Sequence, residues 1–195
     1  MAAARPETLT EVEASVWREL AQAVRDKHHG WRVAVLATVD GPAADARSVV
    51  LRDLDAPSRT LLMYTDARSP KAAQLAAHPQ GTLVLWSEAL AWQLRLRVVL
   101  ALETSGLRVS SRWARLKLTP AAQDYLSPLP PGAVLGATPG AAPGATSPEV
   151  RPDRQSREHF AVLAAQVLSI DWLDLHPAGQ RRAQFTASGA AWLTP

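Results

Sequence analysis

The chain has 195 residues, of which 47% are hydrophobic, so it is long enough to bury a sizeable core. Its formal net charge is only +3, and no run of five or six like charges indicates a nucleic-acid-binding tail. The absence of cysteine excludes disulfides, thiol nucleophiles and cysteine-ligated metals. Since no apolar run approaches the roughly 20 residues that cross a bilayer, and the first residues lack the apolar core of a signal peptide, we expect a cytoplasmic protein without membrane contact.

The first predicted element is a helix within residues 1–30. Thr10 and Glu13 have the spacing of a capping box, and apolar residues keep helical spacing up to Gly30. We expect this helix to pack on the rest of the fold without chemistry of its own.

Five strands are predicted next, and their short length with intervening turn signals favours a closed or partly closed antiparallel barrel. Their ranges are Trp31–Val39, Arg47–Arg52, Thr60–Thr65, Thr82–Trp86 and Trp92–Glu103. In the last of them Gln93, Arg95 and Arg97 alternate with apolar residues, which is typical of a half-solvated barrel strand.

The C-terminal half is predicted to contain two more helices and two strands around a loop. The helices are Ser110–Ser127, broken before Pro120, and Gln155–Ala165; the strands are Val167–Leu175 and Arg181–Thr186, the last of which we expect to be the final paired strand. Between the helices, residues 128–152 are rich in Pro, Gly and Ala, so we expect a mobile loop inside one domain of residues 1–195.

One turn has features of an anion site. Ser69 is a good N-cap residue, and Pro70 follows at the first helical position. Lys71 then stands in the first helical turn, where the helix dipole disfavours a cation unless an anion is bound. The pattern leaves two interpretations: a phosphate site, or an ordinary capped helix with a solvated lysine.

A second basic element precedes this turn. Arg47 begins an apolar strand, and its guanidinium suits bidentate contact with a phosphate. Arg52 lies five residues later, so on a regular strand the two side chains point to opposite faces. A strand bulge, or a ligand touched at both edges, is needed to bring them to one site.

The five histidines give no case for a metal, because none has ligand spacing such as His-x-x-x-His. We therefore predict no metal site. No triad or carboxylate pair stands out either, so the catalytic residues stay unassigned.

Several motifs in a fixed order resemble the pyridoxamine 5'-phosphate oxidase-like FMN-binding split barrels. They are Arg-Ser-Val-Val-Leu-Arg at 47–52, Tyr-Thr-x-x-x-Ser-x-Lys at 64–71, Gln-Leu-Arg-Leu at 93–96, and Trp-Leu-Asp-Leu at 172–175 followed by Gln-Arg-Arg-Ala-Gln-Phe. The resemblance implies a mainly β fold with flanking helices, a split β-barrel, that binds FMN.

The resemblance also implies which residues hold the cofactor. Those implied at the 5'-phosphate are Arg47, Ser69 and Lys71, with Tyr64 and Thr65 beside them and Arg68 in place of the arginine that the family has at position 70. Those implied at the flavin are Ser48, Val49, Val50, Leu51, Arg52 and Gln93, closed over by Trp172 and Arg182.

The positions at which the family binds its phosphorylated substrate are largely changed. Where the family has Tyr, Arg and Ser, this chain has Tyr125, Leu129 and Ala133, and its Arg-x-His pair falls on Ala178 and Gln180. We therefore expect a flavin-dependent oxidoreductase for an unidentified small molecule, with little pyridoxamine 5'-phosphate oxidase activity. A flavin-storing or flavin-sensing module without enzyme activity is the alternative, and a nucleic-acid-binding barrel is a third possibility.

The family resemblance further implies a homodimer, since several cofactor contacts cross between subunits in the family. Apolar residues that can supply a two-fold contact are Trp86, Leu94, Leu96 and Trp172. The sequence leaves open whether these side chains form that contact or only fill the barrel interior.

Overall fold

The structure is a computed structural model that describes residues 5–134 and 157–195. The chain divides into two compact units, each built from separate segments. The first comprises Met1–Met63, Gln74–Ala101 and Leu163–Pro195, and the second comprises Tyr64–Ala73 and Leu102–Val162. Of the predicted loop 128–152, residues 135–152 lie outside the described part of the chain.

Strands outnumber helices. The helices are α1 (Leu9–Ala23), α2 (Pro70–Ala77) and α3 (Leu107–Leu116), with a short 3-10 helix at Pro120–Tyr125. The strands are β1 (Val33–Asp40), β2 (Ala43–Asp55), β3 (Thr60–Asp66), β4 (Gln80–Ser87), β5 (Trp92–Glu103), β6 (Phe160–Asp174), β7 (Arg181–Thr186) and β8 (Gly189–Leu193).

The eight strands form one sheet in the order β3-β2-β1-β4-β5-β6-β7-β8, and β3 also pairs with β6. That extra pairing closes the first six strands into a ring, and β7 and β8 extend the sheet beyond it. The mainly β fold with flanking helices is confirmed.

The alternation predicted for β5 is confirmed. Leu94 and Leu96 are fully buried, whereas Arg95 and Arg97 are exposed. Trp172 of β6 is also fully buried, so these three apolar side chains fill the interior. Of the four residues considered for a two-fold contact, only Trp86 is exposed, at 46%.

The start of the first helix differs from the prediction. Helix α1 begins at Leu9, and its N-cap is Thr8, whose hydroxyl accepts a hydrogen bond from the Glu11 N–H while the Glu11 carboxylate accepts one from the Thr8 N–H. The capping box predicted at Thr10 was therefore two residues too late. Both threonines have a glutamate three residues on, and only the extended backbone of Thr8 (φ −107°, ψ 156°) marks the true boundary.

Two predictions for the C-terminal half were wrong. The helix predicted at Gln155–Ala165 is absent from its described part, where β6 begins at Phe160 and runs to Asp174. All residues from 160 to 165 are buried, and such a continuous apolar run gives no periodicity by which to tell a buried strand from a helix. In addition, Arg181–Thr186 is not the last strand, since β8 pairs with it.

Candidate functional site

Arg47 lies in a closed hydrogen-bond network of the first unit. Its guanidinium donates to the Thr38 hydroxyl, to Gln74 Oε1 at 2.7 Å, and to the Asp45 carboxylate. Gln74 of α2 completes the network, because its Oε1 also accepts from Thr38 at 2.8 Å and its Nε2 donates to Asp45 at 2.9 Å. The network fixes the orientation of Arg47 without any ligand.

The charge of Arg47 is already balanced by Asp45. Hydrogen bonds from Gln74 and then from Arg47 lower the pKa of the Asp45 carboxyl, so it is ionised at neutral pH. A phosphate that approaches Arg47 must therefore compete with this carboxylate. Neither Gln74 nor Thr38 was predicted as a partner, because both lie outside the 47–52 motif and only folding brings them to Arg47.

A strand bulge was one of the two conditions considered for a shared site of Arg47 and Arg52, and the pairing of β2 with β3 is irregular at this point. In β2, Leu51 is opposite Met63 and Asp53 is opposite Leu62, so the register shifts at Arg52. The bulge alters the regular alternation at the end of the 47–52 motif.

The residues predicted to line the flavin are divided between the two faces of β2. Val49 and Leu51 are buried, whereas Ser48 is exposed and Val50 is partly exposed. Gln93 of β5, partly exposed, is opposite Trp86 of β4. The side chains of Ser48 and Val50, which we call the outward set, can contact a molecule on the outer face of this sheet. Those of Val49 and Leu51 lie in the core beneath that face.

In the second unit, the turn before α2 gathers polar groups. Ser69 and Thr65 are buried, and their hydroxyl oxygens lie 3.3 Å apart. The Lys71 ammonium donates to the Ser69 hydroxyl at 3.1 Å. Pro70 occupies the first position of α2, as predicted. Two hydroxyls and an ammonium at the start of a helix are a donor set that suits a phosphate group.

Arg68 is engaged elsewhere in the same turn. It donates to both carboxylate oxygens of Asp66, at 3.1 and 2.7 Å, and to the carbonyl oxygens of residues 127–129. Burial raises the pKa of the Asp66 carboxyl, but hydrogen bonds from the Arg68 side chain and N–H outweigh it and lower that pKa. These contacts tie Arg68 to the 127–129 segment, so its contribution to a phosphate stays a prediction.

The altered substrate positions lie in an acidic environment. Tyr125 is buried with its ring edge-on to Phe160, at 5.3 Å between centroids. Leu129 and Ala133 line a cavity of about 370 Å³ together with Asp66 and Asp124, and the described lining of that cavity has no lysine or arginine. Asp66 is already paired with Arg68, and the described lining offers no cation of its own to a phosphorylated ligand at these positions.

Near the C-terminus, Trp172 and Arg182 lie on opposite faces of the sheet. The Trp172 ring is fully buried, packs against Trp92 at 5.2 Å, and is stacked by the Arg181 guanidinium at 5.6 Å. Arg182 is partly exposed and donates two hydrogen bonds to Asp171, at 2.9 and 2.6 Å. Trp172 therefore does not contact a ligand on the outer face directly, and it can affect such a ligand only through the packing of the core.

The outer face of β1 carries an apolar surface that the prediction of functional residues missed. Val33, Val35 and Val39 are 50%, 43% and 42% exposed, and Val35 is opposite Val84, two residues from exposed Trp86 on β4. The signal was present in the sequence, because β1 is apolar at both alternating sets of positions, which is typical of a strand covered on both faces.

Residues 5–134 and 157–195 contain neither a metal-site cluster nor a membrane-spanning helix. No group of three or more His, Asp or Glu side chains there has the geometry of a metal site. Among the helices described, none combines the length and the apolar character that a membrane span requires.

Comparison with protein families finds a match in the N-terminal part of the chain. Residues 14–102 match the family described as pyridoxamine 5'-phosphate oxidase, FMN-binding domain. The matched range contains the motifs at 47–52, 64–71 and 93–96, so the resemblance noted from the sequence is confirmed, with FMN as the cofactor of the matched family.

Individual relatives match over part of their length. The chain is 38% identical over 79 residues to a pyridoxine/pyridoxamine 5'-phosphate oxidase of Azorhizobium caulinodans, covering 40% of this chain and 36% of that protein. It is 32% identical over 99 residues to the oxidase of Caulobacter vibrioides, covering 49% and 44%. The chain thus spans less than half the length of these curated relatives.

Solved structures confirm the split-barrel fold. A pyridoxamine 5'-phosphate oxidase-related, FMN binding protein from Nostoc punctiforme superimposes with a TM-score of 0.72 at 22% identity, covering 97% of this chain and all of that one. PhzG from Burkholderia lata, solved in complex with tetrahydrophenazine-1-carboxylic acid, gives a TM-score of 0.68 at 16% identity, covering 97% and 94%. At these identities the similarity establishes the fold alone.

Proposed function

Because residues 14–102 belong to the pyridoxamine 5'-phosphate oxidase FMN-binding domain family, we propose that this chain is an FMN-dependent oxidoreductase acting on a small molecule in the cytoplasm. The observation that carries the proposal is the donor set of Thr65, Ser69 and Lys71 at the start of α2, in the sequence order of the matched motif.

In this proposal Ser69 and Lys71 hold the FMN phosphate by a hydroxyl hydrogen bond and a charge-assisted one. The family resemblance also implies Arg47, which would first have to release Asp45, and Arg182 at the outer face of its own unit. When bound, FMN supplies hydride or electron transfer, and the protein supplies binding and orientation.

The proposed substrate is not pyridoxamine 5'-phosphate. Leu129 and Ala133 offer no charged donor, and the cavity that they line contains Asp66 and Asp124. A phosphate dianion placed there meets Asp124, the Asp66 carboxylate that Arg68 already neutralises, and no lining cation, so we expect turnover of that substrate with oxygen at no more than trace level. Robust turnover would contradict this assignment.

We propose a homodimer in which the apolar outer face of β1 and β4 contacts a second copy of the chain. The face, formed by Val33, Val35, Val39 and Trp86, is continuous with the outward set Ser48 and Val50 on β2, since Val33 is opposite Val50 and Val35 is opposite Ser48. An exposed apolar patch of this kind is normally covered in a soluble protein.

The phosphate site is tested with two ligands that differ only in the phosphate. Lys71→Ala should weaken FMN binding by roughly 10- to 100-fold, the effect of losing a charged hydrogen bond, and leave riboflavin binding within about twofold. Lys27→Ala, at an exposed lysine, is the control and should change neither affinity. Equal losses for FMN and riboflavin, or no loss for either, would remove Lys71 from the phosphate.

Enzyme activity is separated from flavin storage by reduction kinetics. The FMN-loaded protein is mixed anaerobically with NADH or NADPH, the flavin absorbance is followed, and electron acceptors are then added. Reduction followed by repeated turnover supports the oxidoreductase. Stable FMN binding without reduction by either nucleotide or turnover of any acceptor supports the storage or sensing alternative.

The dimer is tested by light scattering. The FMN-loaded wild type should have twice the chain mass of 21.0 kDa. Val35→Asp places a charge on the apolar face and should give the monomer mass at micromolar concentration. Leu107→Asp, at a residue of α3 that is 88% exposed, is the control and should stay dimeric. A wild-type monomer would contradict the proposal.

A further inference from the structure

The outer face of β4 to β8 holds a small basic cavity, and of its lining residues only Arg182 was implied to bind FMN. Its volume is about 250 Å³. Its lining comes from five consecutive strands of the sheet: Thr82 of β4, Arg95 and Arg97 of β5, Ser169 and Asp171 of β6, Arg182 and Gln184 of β7, and Leu193 of β8. Three arginines thus share one concave surface with one carboxylate.

The single carboxylate does not balance the three cations. Both oxygens of Asp171 accept hydrogen bonds from Arg182, and Arg95 Nη1 lies 3.6 Å from the same carboxylate. Within residues 5–134 and 157–195, no hydrogen bond or ion pair engages the Arg97 guanidinium. The cavity therefore carries an excess of two positive charges.

The geometry of β5 keeps those charges together. Arg95 and Arg97 are two residues apart on one strand and both are exposed, so their side chains leave the same face about 7 Å apart. Thr82 lies opposite Arg97 in the register of β4 and β5 and adds a hydroxyl. Neighbouring cations repel each other, and an anion between them is attracted to both, which offsets that repulsion.

We propose that this cavity binds the oxyanion group, a carboxylate or a phosphate, of the small-molecule substrate. Arg97 and Arg95 supply the charged donors, Thr82 and neighbouring polar side chains supply further hydrogen bonds, and Arg182 is held in place by Asp171. Calling the ligand the substrate rests on the proposed function, whereas the anion site rests on the arginines alone. Guanidinium groups suit planar, bidentate recognition of such oxyanions.

The site is tested by calorimetric titration of the FMN-loaded protein with benzoate and with phenyl phosphate at constant ionic strength, chloride being the reference anion. One of the two should bind saturably, and the tighter of them identifies the oxyanion class. Arg97→Gln should weaken that binding at least about tenfold, as expected for a lost charge-assisted hydrogen bond. Arg25→Gln, at an exposed arginine outside the cavity, should leave it unchanged.

Equal anion affinities in Arg97→Gln and wild type, or no saturable binding of either probe, would overturn the proposal. Because the Lys71 site also attracts phosphates, the titration is repeated on Lys71→Ala, in which binding dependent on Arg97 should persist. If FMN binding fails but this anion binding remains, only the proposed function falls. If FMN binds and dependence on Arg97 is absent, only the anion site falls.

Discussion

Two aspartates of β6, three residues apart, form opposite kinds of ion cluster on the two faces of one sheet. Asp174 is 1% exposed and is held by Arg5 at 2.8 Å and Arg181 at 3.0 Å. Asp171, on the outer face, pairs with Arg182 in the open cavity that Arg95 and Arg97 also line.

The difference between the two clusters comes from what surrounds them. Arg181 lies over the rings of Trp172 and Trp192, and its Nη1 donates to the Pro6 carbonyl at 2.7 Å, so the inner cluster ties the N-terminal segment to the β6–β7 hairpin. The outer cluster has no such cover. The same pairing of residue types is therefore buried in the fold on one face and lies in an open, positively charged cavity on the other.

The largest effect is expected from Asp174→Asn. Removal of the buried carboxylate leaves Arg5 and Arg181 without their counter-ion, and breaking a buried pair in this way costs about 3–5 kcal/mol. Urea unfolding should show this loss in the free energy of unfolding. A loss below about 1 kcal/mol would mean that the inner cluster is not structural.

The neighbouring arginines of β7 should separate stability from binding. Arg181→Gln removes the stacking on Trp172 and the link to Asp174, so it should lower the free energy of unfolding by about 2 kcal/mol or more. Arg182→Gln should cost less than about 1 kcal/mol because the pair with Asp171 is partly exposed, yet it should weaken FMN or anion binding. Thermal unfolding and ligand titration of both variants measure the contrast; identical profiles would contradict it.

A third pair, Asp66–Arg68, extends the comparison to the second unit. Its hydrogen bonds hold the folded-state pKa of Asp66 below the ordinary value of 3.8, so the stabilisation is complete above that value and is lost as the pH falls through the folded pKa. Asp66→Asn should lower the free energy of unfolding by about 1–3 kcal/mol at pH 7. The difference from wild type should shrink in acid, and a difference that grew would contradict the pairing.

The smallest effect on stability is expected from Asp171→Asn. The carboxylate is partly exposed, so its loss should change the free energy of unfolding by less than about 1 kcal/mol. The same change removes the only carboxylate among the described residues that line the outer cavity, and binding of benzoate or phenyl phosphate should become roughly threefold tighter or more. Weaker anion binding would show that Asp171 acts mainly by positioning Arg182.

Local rules predicted the elements whose signals lie close together in the chain. Pro70 at the start of α2 and the alternation of β5 follow from backbone constraints and from a period of two, which need no distant partner. Spacing alone failed at the start of α1, because Thr8 and Thr10 both precede a glutamate by three residues and the prediction chose Thr10. Periodicity was absent in Phe160–Ala165, and a helix was therefore predicted where the structure has a strand.

The sequence by itself determined the strand-rich fold, the order of the FMN-binding motifs and the excess of arginine, because these depend on residue type and spacing. Only the tertiary structure decided which arginines are balanced. Asp45 and Gln74 reach Arg47, Asp171 reaches Arg182, and Arg97 gains no carboxylate within the described chain. Pairing across strands sets these distances, and residues far apart in sequence carry no local sign of the partner that folding gives them.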